Sequence, residues 1–128
     1  MVSRRVLVVE VDWKIRRLIR TNLEALGLEV VEARDGTECL QALRDLPYDL
    51  ILLGVDLPDG NGWNLIWRLR REAANSETPI VAIVADPARG RLLRRLARVT
   101  ELQKPFSALA LLQSVDSALA PRSTGVHN

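Results

Sequence analysis

Charged side chains stand just past the ends of short apolar runs at several points in this chain. Glu10 and Asp12 follow RVLVV (5–9), Asp56 follows DLILLG (49–54), and Lys104 follows VTELQ (99–103). A buried ammonium without a partner is costly, so Lys104 must meet Glu10, Asp12 or Asp56, or reach solvent. Two other run ends carry no reactive group. Gly54 has no side chain and cannot act as a nucleophile, and Val84 has the shape of threonine without its hydroxyl. A second set of residues is basic. Arg91, Arg94, Arg95 and Arg98 follow i, i+3, i+4 and i+7, the spacing of one helical face. Such a stripe suits an acidic partner or phosphates; the plainer reading is a solvated surface. Cys39, the single cysteine, excludes an internal disulfide and reads as a small buried packing residue.

These residues are positioned by five apolar runs that alternate with five helix-like stretches. The runs are Arg5–Val9, Leu28–Ala33, Asp49–Leu53, Pro79–Val84 and Val99–Gln103, and the third is the most apolar and so expected at the centre. Helical spacing predicts helices over Trp13–Leu26, Thr37–Leu46, Gly62–Ala73, Arg89–Arg98 and Ser107–Ala120. Asp12 and Ser107 read as N-caps, Gly27 and Pro47 as helix stops, and Pro58-Asp59-Gly60 as a turn. Strand–helix alternation with short connections implies a parallel sheet covered on both faces. Such sheets place their sites at the carboxyl ends of the strands. Those ends are Glu10–Asp12, Gly54–Asp56, Val84–Ala85 and Lys104.

The chain has 128 residues, the size of one domain, expected over 1–120 with 121–128 as a flexible tail or linker stub. Hydrophobic residues make up 48% and charged residues 27%, ordinary for a soluble globular protein. No run approaches the roughly 18 apolar residues of a membrane span, and MVSRR leads into a strand without a cleavage pattern. A cytoplasmic location is the expectation. The net charge of +2 is too small to imply nucleic-acid binding by itself.

Four pieces of the sequence, in order, resemble the response-regulator receiver domain of two-component signalling. They are VLVVEVD (6–12), EARDGTECLQAL (32–43), DLILLGVDLPDGNGWNLIWRLR (49–70), and PIVAIVAD (79–86) followed by QKPF (103–106). The resemblance implies an α/β fold of flavodoxin-like (βα)5 topology, a three-layer sandwich around a five-stranded parallel sheet of order 2-1-3-4-5. It also implies a phosphorylation pocket lined by Glu10, Val11, Asp12, Gly54, Asp56, Val84 and Lys104, and a cis bond at Lys104-Pro105. In such a pocket the acceptor aspartate would stand at Gly54, the direct metal ligand at Val11, the hydroxyl at Val84 and the aromatic switch at Glu101.

Without those groups the resemblance implies a degenerate pseudo-receiver. It has no catalytic residue, binds Mg²⁺ weakly or not at all, needs no other cofactor and acts through protein contacts. The partners implied are a histidine kinase, an output domain or another regulator, with a homodimer also open. The contact surface would comprise Arg91, Arg94, Arg95, Arg98 and Glu101. Two alternatives stand beside this reading. One is a receiver phosphorylated at a displaced carboxylate, Asp56 or Asp12. The other is an anion or nucleic-acid module built on the arginine stripe. Trp63 is expected to pack inward, Trp67 is open between a partner anchor and an edge residue, and Trp13 stands where it could cover the pocket.

Overall fold

Continuous apolar runs become central strands because both of their faces are covered. The computed structural model describes residues 3–58, 60–86, 88, 95, 96 and 98–121. The main strands are β1 (Arg5–Val9), β2 (Glu29–Ala33), β3 (Leu50–Gly54), β6 (Ile80–Val84) and β7 (Val99–Gln103). A small antiparallel hairpin, β4 (Asp56–Leu57) and β5 (Gly60–Asn61), lies between β3 and β6 in the chain. The five main strands form one parallel sheet of order β2-β1-β3-β6-β7. That is the expected 2-1-3-4-5 arrangement, with β3 at the centre and all five of its residues buried.

Alternate residues of each strand feed two cores. Leu7, Val9, Ile51, Leu53 and Ala82 pack on one face beneath α2 (Gly36–Asp45), which contributes Cys39, and α3 (Gly62–Arg71). Val6, Val8, Leu50, Leu52, Val81 and Ile83 pack on the other beneath α1 (Trp13–Ala25) and α4 (Ala108–Leu119). Each fully buried aliphatic side chain stabilises the fold by about 2 kcal/mol. Helix ends follow the signals in the sequence. The side chains of Asp12, Asp35 and Ser107 accept from the backbone N–H groups of Lys14, Glu38 and Ala110. Gly27, at φ +84°, stops α1. α3 ends at Arg71, and a single 3-10 turn (Ala73–Asn75) carries the chain on.

The Arg89–Arg98 helix requires a correction at its end. Arg95, Leu96 and Arg98 form turns and a bend rather than helix. Arg98 has φ +57°, which no right-handed helix contains. A helical stripe therefore does not continue through Arg98. Residues 89–94, including Arg91 and Arg94, lie outside the described residues, as do 122–128 of the expected tail.

Candidate functional site at the carboxyl edge of the sheet

The ends of β1, β3, β6 and the segment after β7 converge at one edge of the sheet. Glu10 continues β1, and its backbone N–H donates to Ala33 O at 3.1 Å. Its side chain is only 1% exposed. Oε2 accepts from the Asp12 backbone N–H at 2.8 Å. Oε1 lies 2.8 Å from Lys104 Nζ, in an ion pair whose angles fall outside those of a good hydrogen bond. Lys104 is placed by its own backbone N–H, which donates to Val84 O at 2.8 Å, and the Lys104–Pro105 bond is cis. Of the three carboxylates that could meet this lysine, Glu10 is the one that pairs with it.

Gly54 ends β3 directly beside that pair. A Cβ built on it would stand 2.9 Å from Glu10 Oε1 and 3.3 Å from Val9 O. The first separation is shorter than non-bonded atoms tolerate, so a side chain at 54 would require the end of the Glu10 side chain to shift. Gly62 closes the same region from the other side. Its N–H donates to Val55 O at 2.8 Å. A Cβ there would lie 2.6 Å from Val55 Cα and 2.8 Å from Gly54 O, so the backbone itself leaves room only for glycine.

The remaining pocket residues take varied positions. Val84 is buried. Val11 is 46% exposed at the surface of the first loop. Asp12 is committed as the cap of α1. Asp56 lies exposed on the hairpin, its backbone paired with Asn61. Among the described residues, no three His, Cys, Asp or Glu side chains gather as a metal ion would need. Of the proposed contact surface, Arg95 is exposed, Arg98 is half-buried, and Glu101 is half-buried in β7 opposite Ala82. Trp63 packs against the core as expected, whereas Trp67 is 56% exposed. Trp13 is also exposed, with Lys14 Nζ 6.0 Å from its ring centroid.

Arg16 is a positioning residue that the sequence reading did not single out. From α1, its Nη1 donates to Glu10 O at 2.7 Å and to Val11 O at 3.3 Å, while Nε donates to Glu32 at 3.0 Å. It thereby anchors the β1–α1 loop from behind the pocket. Arg20 donates to the same Glu32 carboxylate at 2.6 Å. That bond, chiefly, holds Glu32 below the ordinary carboxylate range; burial opposes it and Arg16 adds to it. The available signal for Arg16 was its place one helical turn after the Asp12 cap.

The response regulator receiver domain family matches this sequence over residues 6–116. The chain belongs to that family. As a receiver domain it is 34% identical over 119 residues to the phosphate regulon transcriptional regulatory protein PhoB of Klebsiella pneumoniae, a match covering 91% of this chain and 52% of that protein. It is 34% identical over 124 residues to the uncharacterized transcriptional regulatory protein YkoG of Bacillus subtilis, covering 93% and 52%. The receiver domain thus spans about half the length of these relatives. Among solved structures it superposes on the chemotaxis response regulator CheY4 of Vibrio cholerae with a TM-score of 0.84 at 26% identity, covering 92% of this chain and 100% of that one. A putative response regulator from Chloroflexus aurantiacus gives 0.87 at 27% identity, covering 94% and 100%. Among the described residues, no helix is long and apolar enough to cross a membrane.

Proposed function

We propose that this receiver domain works in two-component signalling by protein–protein contact, without phosphorylation of an aspartate. The observation that carries this reading is Gly54, at the position where receiver resemblance puts the acceptor. No nucleophile is available there. The surroundings agree: Val84 offers no hydroxyl and Val11 no carboxylate. The donor set does not fit Mg²⁺, which wants several hard oxygens in near-octahedral array. One Glu10 oxygen already faces Lys104 and the other accepts the Asp12 N–H.

Partners of this domain are a histidine kinase, an output domain or another regulator, and a second copy is a further possible partner. Its location is cytoplasmic, where such pathways deliver their output. Among the described residues, exposed Trp67 and Arg95 are two groups available for such contact. Asp56 and Asp12 lend little to a displaced acceptor, since one sits on an exposed hairpin and the other caps a helix.

The test is incubation of the purified chain with acetyl phosphate and Mg²⁺, followed by intact-mass measurement and tryptophan fluorescence. The expected result is no phosphate adduct and no Mg²⁺-dependent change in emission. A stoichiometric adduct overturns the reading, and its mapping to Asp56 or Asp12 would establish a displaced acceptor.

A further inference from the structure

We infer that the outer face of α1 is a binding site for a nucleoside phosphate, with the Trp13 indole as platform for the base and the Arg17 guanidinium as holder of the phosphate. The inference goes beyond the signalling role above and does not depend on the chemistry at residue 54. A groove of about 430 Å³ runs along α1 beside the edge strand β2. Trp13, Arg17 and Thr21 line it at i, i+4 and i+8, one above another on a single helical face. Trp13 is 58% exposed, so its ring presents apolar π surface to solvent at the mouth of the groove.

The charges around the groove divide into those already used and those left over. Arg16 and Arg20 are both held by Glu32, and Arg20 also by Glu24. Arg17 and Lys14 are exposed, and among the described residues neither side chain has a carboxylate within ion-pair distance. Lys14 Nζ stands 6.0 Å from the Trp13 ring centroid, at the outer limit of a cation–π contact, and is free to turn to an anion instead. Lys14, Arg16, Arg17 and Arg20 outnumber Glu24 and Glu32, and the two uncompensated cations lie at the Trp13 end.

The spacing selects the ligand. Four residues of helix set Arg17 about 6 Å along the axis from Trp13, close to the separation of a nucleobase from its own 5′-phosphate. The base stacks on the indole, a contact that every base can make. The guanidinium takes two phosphate oxygens at once, and the Thr21 hydroxyl, one turn further on, donates to a second phosphate. Beyond it Glu24 closes the basic stretch and repels further anionic charge. A single nucleoside mono- or diphosphate fits these limits. A long single strand would carry its phosphates onto Glu24, and an acidic peptide segment has no planar group for Trp13.

The test is an NMR titration of the ¹⁵N-labelled chain with AMP and with GMP. The three tryptophans, Trp13, Trp63 and Trp67, give indole N–H resonances that single replacement by phenylalanine assigns. The expected result is a saturable shift of the Trp13 resonance at millimolar nucleotide or below, with Trp63 unmoved. Arg17→Glu weakens this binding about tenfold or more, and Arg17→Lys by less. Both changes lie on an exposed face, and an unchanged Trp63 resonance verifies that each variant is folded. Adenosine and inorganic phosphate, each alone, bind far more weakly than AMP; equal binding by either overturns the inference, because half of the site would then suffice. So does an unshifted Trp13, a shift that Arg17→Glu leaves intact, or tighter binding of an oligothymidylate strand than of AMP. A Trp13 shift caused by phosphatidylglycerol vesicles and not by nucleotide overturns it in favour of a membrane surface.

Discussion

Lys104 and Glu10 form an ion pair of unequal burial, the lysine side chain being 25% exposed and the glutamate 1%. The two halves should therefore tolerate loss of the partner differently. A stranded Lys104 can turn toward water. A stranded Glu10 keeps only the Asp12 N–H and cannot rehydrate. Lys104→Met is expected to cost about 3 kcal/mol, and Glu10→Gln clearly less. Urea unfolding of both variants checks the order; equal costs would show that Glu10 gains other solvation.

Arg16 supports the same loop from outside the pocket. Removing it strands the carbonyl of Glu10 and deprives Glu32 of one of its two arginines. Arg16→Met is expected to destabilise by about 2 kcal/mol. Arg16→Lys should recover only part of this, because an ammonium cannot reproduce the guanidinium fork. Chemical denaturation of the two variants provides the comparison.

Glu32 gives the protein an acid-side sensitivity. Its carboxyl titrates lower in the folded chain than in the unfolded one, chiefly through Arg20. Its contribution is then complete above the ordinary carboxylate range and is lost as pH falls through the lowered, folded-state value. Glu32→Gln should flatten the loss of stability on the acid side while lowering stability at neutral pH. Melting curves from neutral pH down to pH about 3 test both signs, and parallel profiles would remove Glu32 from the account.

Arg98 holds a left-handed conformation without being glycine. Arg70 donates to its carbonyl at 3.0 Å and to that of Asn75 at 2.9 Å, and Ile80 N also donates to Arg98 O. These bonds use only the main chain of Arg98. Arg98→Gly is accordingly expected to stabilise by about 1 kcal/mol, while Arg70→Ala destabilises. A lower Tm for Arg98→Gly would mean that the arginine side chain contributes more than the backbone strain costs.

Gly62 offers the strictest steric test. A methyl group there meets the backbone of Gly54 and Val55, which has nowhere to retreat. Gly62→Ala should cost about 3 kcal/mol, more than Gly54→Ala, whose nearest neighbour is a side-chain oxygen.

The parts of this molecule that could be read from the sequence are those decided locally. LILLG is buried along its length and reads as a central strand; Asp12, Gly27 and Ser107 mark helix ends through short-range bonds and backbone preference. The end of the Arg89–Arg98 stretch could not be read so. No glycine marks it, and Arg98 adopts the unusual dihedral within tertiary contacts from Arg70. The pocket was legible as a set of residues but not as a set of contacts. Lys104 had three candidate partners, and the choice of Glu10 depends on how far two long side chains reach across the sheet. Arg16 bonds to main-chain carbonyls, which carry no residue-type signal at all.

That reach has a consequence for the shape of the sheet edge. β1 and β7 are three strand spacings apart in the order β2-β1-β3-β6-β7, roughly 14 Å. Glu10 and Lys104 together bridge this span like a strap laid over the intervening strand ends, and the strap crosses beside Gly54. Its length is part of its specification: an aspartate at position 10 falls one methylene short. The two strands are thereby held at a fixed spread at the edge where a signalling surface would have to change shape.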